Sequence, residues 1–329
     1  MHRSRSASAR SAARSATRWR RSGSSPPSAG ARQTVLITGE AGIGKSSLAE
    51  ALLDEAARGG AIVARGRCLE QEGAGEPYLP VLEALGGLRH SLGSNAVGGV
   101  LRRHAPRWLA QLFGLVEPAE LDALGSATSA GTRERVLREL TDALERLAAT
   151  RTLVLALEDL HWGDPSTLDV VARLALRHEP ARLLLVGTFR PVDAIVADHP
   201  VRRLKQRLLS QRCGSELALE PLAEGDVAAY LAARLDAAPP AQLAGAVHRR
   251  TDGNPLFMVT ATDALLDGGL LVRSADGWQL NDAVEAIAAR IPDSVRALVE
   301  QQLETLAAAA LEELPSAARR ARSELDADP

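Results

Sequence analysis

A chain of 329 residues with 46% hydrophobic content is long enough for one large globular domain or two ordinary ones. Aromatic residues are only 3%, so its core must be built from Leu, Val and Ala, which favours helices packed on a sheet over an aromatic-rich β-sandwich. The net charge of −2 hides an asymmetry, arginines without acids before residue 33 and an acidic remainder; no apolar run approaches about 18 residues, so neither a membrane span nor a membrane partner is expected.

Residues 1–32, rich in Arg, Ser and Ala, hold too few large apolar groups to offset the entropy of ordering. They are expected to be a disordered tail. Such a tail binds nucleic acid or anionic lipid through counterion release, or stays solvated without a partner, and the solvated state is the simpler expectation. No apolar segment follows it, so it is not a secretory signal. The cysteines, Cys68 and Cys213, match no metal-ligand spacing and read as reduced, buried thiols of a cytoplasmic protein.

The apolar run at 34–38 reads as a strand that delivers the chain to Gly39-Glu40-Ala41-Gly42-Ile43-Gly44-Lys45-Ser46, which fits GxxxxGK[ST] at every fixed position. The pattern predicts a phosphate-binding loop. Its glycines let backbone N–H groups close around phosphate oxygens, and the following helix points its positive end at the same anion. Gly39, Glu40, Ala41, Gly42, Ile43 and Gly44 then form the cradle, continued by Ser47. Lys45 reaches the β/γ-phosphates, and Ser46 offers its hydroxyl to Mg²⁺, whose other ligands are mostly water and phosphate oxygen.

A helix over 47–57, with Leu48, Leu52 and Leu53 at helical spacing, stops at Gly59-Gly60. A second strand is expected over 61–68. From 77 to 150 helical patterns alternate with Gly-rich breaks, an all-helical insertion whose clearest helix spans 132–149. Within it His90, His104 and Trp108 have no partners at ligand spacing and read as surface or packing residues. The continuous apolar run 152–157 suits a strand covered on both faces and ends in Glu158-Asp159. Asp164 ahead of Pro165 caps a helix running to about His178, and 182–191 repeats the strand pattern. A short last strand lies near 216–219. Strands separated by helical segments imply right-handed βαβ units and a parallel sheet with ligands at the strands' carboxyl ends. After Pro221 helices take over at 224–235, 240–250 and 255–266, followed by a hairpin at 270–280, a helix over 293–314 and a frayed end.

Two further features suit a nucleotide site. An NTPase needs a carboxylate at the end of a neighbouring strand for the Mg²⁺ shell and one to orient the attacking water. By position Glu158 takes the metal and Asp159 the water, or the two exchange. Arg190 stands at the carboxyl end of an apolar strand, where a guanidinium either faces the γ-phosphate or leaves the sheet for a surface ion pair. His161 and Trp162 read as packing and turn residues. Gly253-Asn254-Pro255-Leu256-Phe257 starts a helix at Pro255, either pressed against the nucleotide base or simply capped.

GEAGIGKS, then GRC at 66–68, PYLP at 77–80, LEDLHWGDPST at 157–167, GTFRP at 187–191 and DGNPLF at 252–257 occur in the order found in STAND-type AAA ATPases. Over about 33–305 the chain resembles the ATPase modules of large LuxR-type transcriptional regulators and of bacterial soluble adenylyl-cyclase-like proteins. The resemblance implies an α/β P-loop NTPase, 33–220, with a parallel sheet flanked by helices, then a small helical lid at 221–290 and a truncated start of a winged-helix-like region at 291–329. It implies ATP or ADP with Mg²⁺ as cofactors and a switch that hydrolyses slowly. Lys45 and Ser46 hold phosphate and magnesium, Glu158 and Asp159 form the Walker B pair, Arg190 is the sensor, and Pro255 lies in the lid motif contacting nucleotide. A signalling protein or a second copy would be the partner, and DNA would be reached only indirectly or through an output domain missing here, as expected of a fragment. The competing class is a multi-turnover remodelling or loader ATPase, whose ring would draw a donor from Arg202, Arg203, Arg207 or Arg212. The Arg/Ser tail takes the place of the GRxxE-type segment that packs around adenine in such modules.

Overall fold

The computed structural model describes residues 32–70, 76–112, 132–274 and 277–281. The tail before Arg32, the helix expected over 293–314, and the winged-helix-like region lie outside the described residues. The chain divides into two compact units between Glu220 and Pro221.

The first unit is an α/β fold built on a five-stranded parallel sheet. Strands β1 (Gln33–Thr38), β2 (Ile62–Arg67), β3 (Leu153–Glu158), β4 (Leu183–Phe189) and β5 (Ser215–Ala218) lie in the order β2-β3-β4-β1-β5. Every residue of β3 and β4 is buried, as continuous apolar runs between two helical layers require. At the rim β2 alternates buried and more accessible positions, which leaves Arg65 and Arg67 half in solvent.

Alternation along the strands sorts side chains between two cores. On one face Val35, Ile37, Val154, Ala156 and Val186 pack with Leu48, Ala49 and Leu53 of α1 (Lys45–Arg58). On the other, Leu36, Leu153, Leu155, Leu157 and Leu185 meet the helices that come between and after the strands: α2 (Leu79–Leu92), α3 (Ser94–His104), α4 (Pro106–Leu109), α5 (Arg133–Leu147), α6 (Pro165–Leu176), α7 (Pro191–Val196) and α8 (Val201–Ser210). Each buried Leu or Val contributes about 1.5–3 kcal/mol of transfer free energy. Trp108 is a packing residue here, fully buried, with its Nε1–H donating to the Val136 carbonyl at 2.9 Å. The glycine of GRC has a steric cause: a Cβ at Gly66 would stand 1.7 Å from the Pro80 carbonyl oxygen, so β2 and α2 approach backbone to backbone.

Three expectations shift. Arg32, assigned to the tail, is docked, donating to the Leu174 carbonyl at 2.8 Å and pairing with Glu145. The helix after Pro165 ends at Leu176, because Arg177 turns extended and pairs with Asp142, Glu145 and Glu179. Cys68 is buried, but Cys213 is only partly so.

In the second unit α9 (Glu224–Leu235), α10 (Leu243–Thr251) and α11 (Pro255–Asp267) precede the antiparallel hairpin β6 (Leu271–Ser274) and β7 (Gly277–Leu280). The middle helix starts at Leu243 rather than Pro240, after Gln242 at φ 68°. Among the described residues no helix is long and apolar enough to cross a membrane.

Candidate functional site

The octapeptide forms the turn between β1 and α1. Thr38, the last residue of β1, donates from its hydroxyl to Glu216 at 2.7 Å, and both carboxylate oxygens of Glu216 accept from Lys205. The base of the loop is thereby tied to β5 and α8. Gly39 has φ 148°, and a Cβ there would meet Ile43 Cγ2 at 2.9 Å; Gly44 has φ 99° as the residue capping α1. Both are conformations that side-chain-bearing residues rarely adopt. Glu40 and Ser46 are exposed, Ala41, Gly42, Gly44 and Ser47 partly buried, and Ile43 anchors the turn in the core.

Lys45, the first residue of α1, is buried at 7% exposure and curls back to donate to the carbonyls of Gly39 at 3.0 Å and Glu40 at 2.7 Å. An ammonium has three donors, so one is left for an anion. Burial, followed by the positive charge of Arg190, lowers the Lys45 pKa to about 8, against the opposing pull of Asp159, Asp193 and Glu40. Residues from three distant parts of the chain therefore share one electrostatic neighbourhood. The start of α1 has no side-chain cap, which leaves first-turn amides and the helix dipole available to phosphate. Loop, cation and exposed Ser46 hydroxyl together fit a nucleotide phosphate chain. Among the described residues no group of three His, Cys, Asp or Glu could hold a metal ion, so a divalent ion here would draw most ligands from phosphate and water.

The acid pair ends β3. Glu158 is 1% exposed and its carboxylate is held by Arg65 at 2.5 Å; Asp159 is held by Arg67 at 3.1 Å. Both arginines come from the neighbouring β2, where the register pairs Arg67 with Glu158. Asp159 has φ 56°, a costly conformation for a residue with a side chain, and its N–H donates to the Thr188 hydroxyl at 2.9 Å. Asp164 caps α6 by accepting from the N–H groups of Ser166 and Thr167, as the sequence predicts.

Arg190 follows β4 directly. Its Nη1 donates to Asp193 at 3.2 Å, and its guanidinium lies 5.3 Å from the centre of the Trp162 ring. It is thus an ion-paired arginine that also acts electrostatically on Lys45. His161 is buried beside it, 3.6 Å from Asp193 and 4.5 Å between ring centres from Trp162. Burial, then Arg190 among the charges that oppose protonation, lowers its pKa. The sequence motifs do not point to Arg65, Arg67, Thr188 or Asp193, and His161, read as a packing residue, is buried against Trp162. The signal for the two arginines is their alternation on a strand bordering the acid strand.

Pro255 is the first residue of α11, behind Asn254, whose side chain accepts from the Leu256 N–H at 3.0 Å. The turn before it is pinned within the second unit, where the Leu222 N–H donates to the Gly253 carbonyl at 2.8 Å.

Residues 24–186 match the family model of the AAA ATPase domain. A curated relative, an uncharacterized protein of Rhizobium meliloti (strain 1021), is 30% identical over 257 residues, which is 70% of this chain but only 22% of the relative. The chain thus spans about a fifth of that relative's length. Two solved structures of the Aeropyrum pernix ORC2 protein also align. The ADP form gives a TM-score of 0.41 at 15% identity, over 85% of this chain and 67% of that one. The ADPNP-ADP complexes give 0.38 at 13%, over 82% and 62%.

Proposed function

We infer that this chain, which carries an AAA ATPase domain, works as an ATP-binding signalling switch with slow Mg²⁺-dependent hydrolysis, one module of a larger regulatory protein of the STAND type. The observation that carries this reading is the placement of Lys45, buried within its own loop with one donor to spare and under the fields of Asp159, Arg190 and Asp193. The loop from Gly39 to Ser47 would hold the phosphates. Bound there with the nucleotide, Mg²⁺ would neutralise charge developing on the β- and γ-oxygens.

Slow turnover is supported by the state of the acids. Glu158 would join the metal's shell only after release from Arg65, and Asp159 would orient water only after release from Arg67. Each release takes a carboxylate from a charge-assisted partner. A modular role is supported by the relative, of which this chain matches 22%.

Mixing the full chain with ATP and Mg²⁺ and following phosphate release tests the reading. A turnover rate far below about 1 s⁻¹, the lower end of ordinary enzyme rates, with ADP still bound after gel filtration, is expected. Sustained turnover at or above that rate, rising with concentration as rings assemble, would replace the switch with a remodelling ATPase.

A further inference from the structure

His161 is a buried polar residue to which phosphate binding assigns no task. Its side chain is wholly buried, yet neither Nδ1 nor Nε2 has a hydrogen-bond partner. An orphaned buried polar atom costs about 1–3 kcal/mol and calls for an explanation. The nearest acceptor is Asp193 Oδ2, 3.6 Å from Nε2 and just outside hydrogen-bond reach. That same oxygen accepts from Arg190 Nη1 at 3.2 Å. One carboxylate oxygen therefore stands between a guanidinium that holds it and an imidazole that does not. Trp162 backs both neighbours, with its ring against His161 and under the Arg190 guanidinium.

We propose that His161 is a positioning residue for recognition of a nucleoside triphosphate's terminal phosphate: when Arg190 turns from Asp193 to that phosphate, the His161 N–H takes over the Asp193 oxygen. The proposal rests on the reading of Arg190 as the residue that faces the γ-phosphate. No proton changes hands. Arg190 exchanges one anionic partner for another, Asp193 keeps a donor, and one of the imidazole's two orphaned nitrogens gains a partner. A diphosphate offers Arg190 no such anion and leaves the arrangement as it stands, so the exchange favours triphosphate over diphosphate. Burial keeps the imidazole neutral, with one N–H to give.

Calorimetric titration of the full chain with AMPPNP and with ADP, each with Mg²⁺, tests this in the wild type and in His161→Phe, His161→Gln and Arg190→Ala. His161→Phe is expected to weaken AMPPNP at least about tenfold relative to ADP, by loss of one hydrogen bond to a charged carboxylate. His161→Gln, whose amide can donate, should recover most of that loss, which a packing role would not explain. A His161→Phe variant that weakens both nucleotides equally, or neither, overturns the proposal. If Arg190→Ala has meanwhile lost the preference for AMPPNP, the sensor reading survives; if it keeps the preference, both fall. A measurement on the wild type guards against misfolded variants: in spectra of ¹⁵N-histidine-labelled protein the His161 ring N–H should shift downfield with AMPPNP and not with ADP. Identical spectra in the two complexes overturn the proposal.

Discussion

The backbone N–H of Asp159 donates to the hydroxyl of Thr188 at 2.9 Å, joining the turn that carries the acids to the strand that delivers Arg190. Thr188 is fully buried and lies two residues before Arg190, while Asp159 sits at φ 56°. One hydrogen bond thus restrains a strained residue and fixes the spacing between the proposed water-orienting acid and the proposed sensor. Thr188→Val preserves shape but leaves the Asp159 N–H without its acceptor. It should cost about 1–3 kcal/mol in urea unfolding, with Thr188→Ser near wild type. Equal stability of the valine variant would show that the turn holds itself.

The depressed pKa of Lys45 predicts a pH dependence of binding. Its folded value, about 8, lies below the unfolded one, 10.5, so this group makes the free protein more stable as pH rises from 8 toward 10.5. Phosphate needs the ammonium, so nucleotide binding works in the opposite sense and takes up a proton above pH 8. Affinity for ADP should fall between pH 8 and 9.5 by up to about tenfold per pH unit. Calorimetry in buffers of different ionisation enthalpy should report proton uptake at pH 8.5. Release of protons at that pH would refute a lysine held neutral by burial.

Arg65 and Arg67 should separate in effect. Arg67→Ala frees Asp159 from a half-exposed pair worth about 0.2–1 kcal/mol, so phosphate release should quicken about one-and-a-half- to fivefold with ADP affinity unchanged. Arg65→Ala strips the partner from the buried Glu158 and should destabilise the fold by about 1–3 kcal/mol. Slower phosphate release in Arg67→Ala would make that arginine part of the catalytic apparatus instead.

At Gly66 the prediction concerns stability alone. Its missing Cβ would fall on the Pro80 carbonyl, a backbone atom that cannot rotate away. Gly66→Ala should lower stability by about 1–3 kcal/mol, measured by thermal unfolding. No change would mean that α2 can slide off β2.

The parts legible in the sequence are those whose signal is local. The strand-to-helix turn from Gly39 to Ser46, the two all-buried strands β3 and β4, the Asp164 cap and the hairpin after Gly269 each declare themselves within a dozen residues. What was not legible depends on which strands become neighbours. Arg65 meets Glu158 across 93 positions because β2 pairs with β3. For His161 nothing local says that its ring is buried with unpaired nitrogens beside Asp193. Arg177 ended its helix early for acids supplied by α5 and by Glu179.

On the reading proposed above, the loop from Gly39 to Ser47 binds nucleotide phosphate through Lys45. Its most direct test is the thermal unfolding of the wild type and Lys45→Ala with and without a large excess of ADP and Mg²⁺. A ligand that binds only the folded state at about 100 times its dissociation constant adds about 2.7 kcal/mol. The wild type should therefore unfold several degrees higher with ADP, whereas Lys45→Ala should show little or no shift. Equal stabilisation of both proteins by ADP would contradict the account.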